Sequence, residues 1–528
     1  MAANLFPLIY NPGIQRDGTT FQSEYCTDGQ WIRFQRGKVK KIGGMKGAVT
    51  TAGSERVTNL TIFPWENGRE ILIFICSELG LYAQINSSDW VFIRNNNLLQ
   101  GALGPTVTWE TETVVDKGSN KTYIVFMQNN NAVNINDNSQ SLFYRKEIAT
   151  ALDGAAEQIL ANPNPRVNLL INGGLVFAAP YLFIYGSNGL VQYSRSTDPF
   201  NFTGADSGSQ NISTDKVIFG SPIRGGSNSP SLLFWTLSTV VRMTNATENT
   251  PGAITKFTTD VISKSSSILS SKCVVEYDGL FFWPGTDRFF VYNGIVQEMD
   301  NRLNLNYFYD NIDMDRRQQV FGVKNTKYGE IWWFYPVKNV LGANSRAVVY
   351  NKRENFWYDT AISRTAGVFS SDFGFMSTYG KFLVQGGDED NIWKHEVGVI
   401  EDAAAGGARS VAPIPSFFTT PIFSWVAFPP KVSKASYVSS QLINRWTDLQ
   451  RIEPDFIPGN GRSTLQVRVN TREYAQSPII VGDPVEFYSN TLKVDMRAQG
   501  RNMSLTFSSN DVFEVGQIML LLGIGDGR

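Results

Sequence analysis

The chain has 528 residues, 13% of them aromatic, with 46 glycines and a charged fraction of 18% that cancels to a formal net charge of −1. That length admits two or three domains, or one large repeat domain with additions. The composition suits an all-β, turn-rich protein, and the near-zero charge excludes a general attraction to nucleic acid or anionic membranes.

The longest apolar runs, Ile71 to Cys76 and Ile518 to Gly525, fall well short of the roughly 20 residues a membrane helix needs. The opening MAANLFPLIYNPG has neither a basic flank nor a long apolar core, so no signal peptide is expected. Cys26, Cys76 and Cys273 are scattered and odd in number, which argues for reduced thiols and assembly in the cytoplasm.

Residues 1–50 read as an extended arm and a hairpin: Asn11-Pro12-Gly13 and Asp17-Gly18 are turn chemistry, and TDGQWIRFQRGKVKKIGG reads as strand, turn, strand. Arg33, Arg36, Lys38, Lys40 and Lys41 form the densest basic cluster. It is either a solvated hairpin face or a patch facing an acidic partner or DNA phosphates.

Residues 51–400 are periodic. Strand–turn–strand pairs begin near Ile71, Ile124, Leu182, Leu232, Leu280, Ile331 and Phe382, at intervals of 48 to 58 residues. A period of about 50 is that of propellers with one four-stranded blade per repeat, and seven pairs imply about seven blades. The alternative is a series of unrelated hairpins in sandwiches. The clearest unit is Cys273 to Met299, where Asp278-Gly279 and Asn293-Gly294 are two-residue turns needing positive φ and Pro284-Gly285-Thr286-Asp287 is a four-residue turn. Closing such a ring requires its ends to pair, and strands ahead of Ile71 are candidates to complete the last blade.

Residues 401–416 (EDAAAGGARSVAPIP and the following Ser416) read as a linker. From 417 to 528 the strands alternate without the 50-residue period, as in Leu492, Val494 and Met496 against Lys493, Asp495 and Arg497. This suits a β-sandwich-like domain. Only Ala149 to Leu160 is expected to be helical.

Enzyme chemistry has little material. His395 is the single histidine, which leaves no His-based triad or multi-His metal site, and it reads as structural or exposed. Phosphate-loop, dinucleotide and Cys-x-x-Cys motifs are lacking. Paired carboxylates for glycoside cleavage are conceivable at Glu110 and Glu112 or at Glu389 and Asp390, and a calcium loop at Asp388 to Asp390, but acidic turn residues are ordinarily solvated. No catalytic residue, cofactor or metal is assigned. Ala498-Gln499-Gly500 is read as a tight turn flanked by Arg497 and Arg501, and those two arginines join the basic cluster as candidate interface residues.

Two stretches resemble tail nozzle proteins of short-tailed bacteriophages, a group that includes packaged-DNA stabilization proteins at the head-to-tail connector. PGIQRDGTTFQSEYCTDGQWIRFQRGKVKKIGG is similar to their opening, and VDMRAQGRNMSLTFSSNDVFEVGQIML to their last hairpin, with its Arg-x-x-Gly-Arg turn. Val512-Phe513-Glu514-Val515 departs from the tryptophan-bearing strand of that pattern. The resemblance implies a propeller with attached β domains, in a homo-oligomeric ring of usually six copies below the portal and adaptor. It implies a structural virion protein that extends the DNA channel, retains the genome and carries tail fibres or spikes, with double-stranded DNA passing through unread and no small-molecule substrate. Two other readings stay open: a carbohydrate-binding or carbohydrate-cleaving propeller that acts as a receptor-binding protein, and a non-viral propeller scaffold.

Overall fold

The computed structural model describes residues 4–19, 23–50, 57–65, 70–77, 80–85, 91–95, 108–129, 143–158, 171–203, 206–223, 230–246, 256–340, 344–379, 391–404, 409–424, 446–459, 463–474, 476–488 and 490–525. Among these residues, six antiparallel sheets of four strands follow one another along the chain, and a seventh unit of four strands lies within a six-stranded sheet. They are the blades of a β-propeller. Blade 1 runs from Val57–Trp65 to Val91–Asn95, blade 2 from Thr108–Asp116 to Glu157–Gln158, and blade 3 from Gly174–Ala178 to Gly208–Asn211. Blade 4 runs from Val217–Pro222 to Phe257–Ser263, blade 5 from Val275–Tyr277 to Val296–Glu298, and blade 6 from Phe321–Asn325 to Phe356–Arg364.

Blade 7 is built from both directions of the chain. Ala366–Ser370, Gly374–Tyr379 and Asn391–His395 supply three strands, and the early strand Met45–Thr50 pairs antiparallel with Asn391–His395 as the fourth. The first strand of blade 7 lies against the first strand of blade 1, so the ring closes. The first six sequence pairs begin in or beside the second strand of blades 1 to 6; the seventh, at Phe382, begins outside the described residues.

Blade 5 shows how turn chemistry sets the register. Asp278 and Gly279 both have positive φ (52° and 76°), and the hairpin they close pairs Tyr277 with Leu280. At the second two-residue turn only Gly294 is left-handed, with φ of 112°. Strand period then decides the packing: alternate residues of one strand point to opposite faces, and each blade face is covered by a neighbour. In Glu330–Tyr335 every residue is buried. Ile331, Trp333 and Tyr335 enter the core shared with blade 5, while Trp332 and Phe334 enter the core shared with blade 7 and the sandwich.

Most of the remaining strands form a two-sheet sandwich that takes in Asn4–Leu8 and the hairpin of the amino-terminal arm, while Asn11–Ile14 and Tyr25–Cys26 of the arm pair in parallel with each other. In the first sheet Val494–Gly500, Thr447–Pro458, Phe513–Ile524, Lys38–Lys41 and Ile32–Gln35 lie in that order, and Asn4–Leu8 also pairs with Phe513–Ile524. In the second, the order is Asp28–Gln30, Ser416–Thr419, Asn502–Ser509 and Leu465–Arg472, with Ile480–Val481 and Val485–Phe487 both on the last strand. Phe418 stacks on Phe507 between the sheets, with ring centroids 5.0 Å apart.

Two readings of the sequence change. The stretch read as a linker carries a hairpin: Ile400–Ala404 pairs with Arg409–Pro413, and Glu401 and Asp402 pair in parallel with Met45 and Lys46. Its small residues fit a narrow edge of blade 7 as well as they fit a tether. The expected helix at Ala149 to Leu160 is a 3-10 turn at Ile148–Thr150 and a short strand at Glu157–Gln158, its last two residues lying outside the described residues. Among the described residues the α-helix is Leu305–Asn311, between blades 5 and 6.

Candidate interface and channel sites

The basic hairpin divides by strand alternation into buried and exposed halves. Arg33 is 1% exposed. Its Nε donates to Glu330 Oε1 at 2.9 Å, one terminal nitrogen to Glu330 Oε2 at 3.0 Å, and the guanidinium also reaches both oxygens of Glu396 at 2.5 and 3.0 Å. The Tyr328 ring covers it, 3.5 Å from the guanidinium carbon. Burial works against the Arg33 charge, but Glu330 and Glu396 override it and hold its pKa well above the usual value. Tyr358 Oη and Trp332 Nε1 donate to Glu330 at 2.6 and 3.0 Å, so both its oxygens are satisfied. One residue of the hairpin thus joins the sandwich to blade 6 and to the end of blade 7.

Lys41 is also internal. Its Nζ donates to the carbonyls of Ile414 and Asn510 at 2.7 and 2.5 Å, and burial, opposed by Asp511, pulls its pKa down to about 8. Lys40 is half-buried and paired with Glu514 at 2.5 Å. Arg36 is exposed at the hairpin tip, left-handed with φ of 51°, and its backbone N–H donates to the Glu354 carboxylate. Lys38 is half-buried. Arg36 and Lys38 therefore remain as the outward cations of this cluster, with Lys40 half-committed to Glu514, whereas Arg33 and Lys41 are not surface residues of the chain.

The arm ahead of the hairpin runs along the outer strand of blade 6. Arg16 donates to Asp359 at 2.9 Å and to Asp28 at 2.5 Å, and Arg346 shares Asp359 from the other side. Asp17 accepts from the backbone N–H groups of Asn306 and Tyr307 at 2.7 and 2.8 Å. It caps the helix Leu305–Asn311 from far away in sequence.

Ala498-Gln499-Gly500 is not a tight turn. Val494–Gly500 is one continuous strand of the first sheet, and Asn502–Ser509 lies in the second, so Arg501 marks the corner where the chain changes sheets. Arg497 is exposed on the strand. Arg501 is half-buried and stacks on Tyr474, with its guanidinium carbon 4.9 Å from the ring centre. The structure therefore does not bring these two arginines together as one patch.

Glu110 and Glu112 lie on the first strand of blade 2, beside the propeller axis. Ser271, from the approach to blade 5, donates to Glu110, and Lys272 Nζ reaches the Thr58 carbonyl of blade 1 at 2.5 Å. The approach to blade 5 thus crosses the axis to the opposite blades. Burial raises the Glu110 pKa, opposed by Lys272, the Ser271 hydroxyl and Lys216. Burial pushes Glu112 up to about 7, against the N–H groups of Thr113 and Phe177. The lysines and serine that meet Glu110 come from segments far away in sequence, at the approaches to blades 4 and 5.

His395 is buried with its ring stacked on Phe375, centroids 4.1 Å apart. Its Nε2 lies 2.5 Å from Ser377 Oγ and accepts from Arg364 Nε at 3.4 Å. Burial, then Arg364, pulls its pKa well below the usual value. Asp388, Glu389 and Asp390 lie outside the described residues. Among the described residues no group of three or more His, Cys, Asp or Glu side chains is placed to hold a metal ion, and the three cysteines are buried and unpaired.

No protein-family model matches the chain, and no curated protein does. Among solved structures, YCF48 bound to a D1 peptide is similar over 68% of this chain and 95% of its own, at 9% identity and a TM-score of 0.34. The computationally designed Ika8 protein is similar over 66% of this chain and 99% of its own, at 10% identity and a TM-score of 0.33. BBS1N, solved in complex with ARL6DN, is similar over 47% of this chain and 72% of its own, at 11% identity and a TM-score of 0.27. The propeller architecture of this chain rests on its own strand pairing.

Proposed function

We propose that this chain is a tail nozzle subunit of a short-tailed bacteriophage, a structural virion protein that works by assembly. Copies form a ring, of six in the expected case, below the portal and adaptor. The ring extends the DNA channel, retains the packaged genome and carries fibres or spikes.

One observation supports this reading above others. The two stretches that carry the nozzle resemblance lie at opposite ends of the sequence, yet they pair with each other: Lys40 faces Glu514 and Val39 faces Val515. A resemblance confined to two termini gains weight when those termini are one folding unit. The net charge of −1 is compatible with a lumen that lets DNA slide without strong phosphate binding. Within the basic hairpin, Arg36 and Lys38 are the outward cations available to the adaptor.

The test is docking. Full-length protein mixed with purified portal–adaptor complexes should co-sediment, and serine at both Arg36 and Lys38 should weaken that docking and its salt dependence. Failure of the unmodified chain to dock and to form rings at micromolar concentration would sink the reading.

A further inference from the structure

In an Asn–Gly pair the glycine nitrogen can attack the asparagine side-chain carbonyl, because no Cβ shields that nitrogen. Among the described residues there are three such pairs: Asn172-Gly173, Asn188-Gly189 and Asn293-Gly294. The fold treats them differently.

Two are locked. The Gly173 N–H, which would be the nucleophile, donates to the Tyr185 carbonyl at 2.9 Å. Gly173 is buried, and a Cβ there would collide with the Val217 carbonyl. Gly189 is buried as well; its carbonyl accepts from the Ile212 N–H at 2.9 Å, and a Cβ there would collide with the Ser213 carbonyl. Neither glycine can swing toward its asparagine without a local opening of the structure.

The third pair, in the outer hairpin of blade 5, is open. Asn293, Gly294 and Ile295 are all exposed, and the Gly294 N–H has no backbone acceptor among the described residues. Apart from its chain neighbours, nothing lies within 4 Å of the place a Gly294 Cβ would take. The Ile295 N–H donates to Asn293 Oδ1 at 3.4 Å. That contact folds the side chain back over the Gly294 amide and polarises the carbonyl under attack.

We propose that Asn293 is a site of spontaneous deamidation, with water as the co-reactant. The Gly294 nitrogen bonds to Asn293 Cγ and gives up its proton, while the Cγ–Nδ2 bond breaks and that nitrogen leaves as ammonia. The product is a cyclic succinimide. Water opens it at either carbonyl to give aspartate or isoaspartate, with one added negative charge at neutral pH. Isoaspartate routes the main chain through the extra methylene of the side chain. The turn holds its register by the Asn293 N–H to the Ile295 carbonyl, 3.2 Å, and by Tyr292 opposite Val296, so an added methylene breaks it. The strand beyond, Val296–Glu298, is three residues long and outermost in its blade. It loosens, while Trp283 and Phe289 stay in the buried core. The inference does not depend on the nozzle reading.

The experiment ages the full-length chain at body temperature and mildly alkaline pH, then maps its peptides by mass spectrometry and labels isoaspartate with isoaspartyl methyltransferase. Asn293 should convert about tenfold or more faster than Asn172 and Asn188, which must first open locally. In urea, where the fold no longer distinguishes the three pairs, their rates should draw level. Amide exchange in the aged chain should quicken at Val296–Glu298 and not in the inner strands of blade 5, and Asn293→Ser should remove both the new acidic species and that change. Conversion of Asn172 or Asn188 in the folded chain as fast as Asn293 overturns the proposal, and so does an Asn293 that converts in urea but stays intact in the folded chain. Exchange left unchanged by isoaspartate at 293 would overturn the register argument.

Discussion

Replacing Arg33 with methionine removes the guanidinium that two buried carboxylates share. Methionine keeps the apolar stem but leaves Glu330, 0% exposed, beside Glu396, which is 10% exposed. Glu330 would retain only the Tyr358 hydroxyl and the Trp332 indole N–H among its present polar partners, and Glu396 the Gly43 N–H at 3.2 Å and the Asn325 amide at 3.3 Å. Removing one partner of a buried ion pair costs about 3–5 kcal/mol, because the remaining charge stays uncompensated. Here two carboxylates are left facing each other, so the expected loss lies at the upper end, about 4–5 kcal/mol. Urea unfolding followed by fluorescence reads it as a lower midpoint at unchanged slope. Glu330→Gln added to the methionine variant should recover part of the loss by removing the deeper charge. A loss below about 1 kcal/mol, on the scale of an exposed pair, would refute the claim that this cluster fastens the hairpin to the propeller.

Three further perturbations test other joints. Glu112 has its pKa raised from 4.5 to about 7 in the folded chain, so the folded state binds the extra proton and gains stability as pH falls from 7 towards 4.5. Glu112→Gln should therefore stabilise the chain by about 3 kcal/mol at pH 8, at about 1.4 kcal/mol per pKa unit, and by almost nothing at pH 4; an equal gain at both would contradict the burial of that carboxylate. His395 works with the opposite sign, its folded pKa being depressed. Its contribution is complete above about 6.5 and should fall by about 1.4 kcal/mol per pH unit below that, a slope that His395→Phe should flatten in acid titrations of stability. Asp17→Ala removes the remote cap of Leu305–Asn311, at an expected cost of about 1–2 kcal/mol, visible as faster amide exchange confined to that helix and the arm.

The propeller was legible because its signals are local. Two-residue turns such as Asp278-Gly279 and apolar strands such as Glu330–Tyr335 recur at a fixed spacing, and each blade is contiguous in sequence except the seventh. The sandwich was legible only in part. Alternation marked its strands, but the pairing of Asn4–Leu8 and Lys38–Lys41 with Phe513–Ile524 spans nearly the whole chain, and no short-range pattern encodes it.

The same limit explains the basic hairpin. Arg33 and Lys41 look like surface charges in a run of cations, and their acceptors, Glu330, Glu396 and two backbone carbonyls, come from distant segments. At Arg497 and Arg501 an apparent turn is a continuous strand followed by a corner, because Ala498, Gln499 and Gly500 all pair with Thr447–Pro458. Glycine permitted a turn there; the neighbouring strand decided otherwise.

The most direct test of the nozzle reading is electron microscopy of portal–adaptor complexes reconstituted with the full-length chain. The expected result is a six-fold ring of propellers below the adaptor, continuous with the DNA channel. Complexes that show no added ring, with the chain left as free monomers in the background, would contradict it.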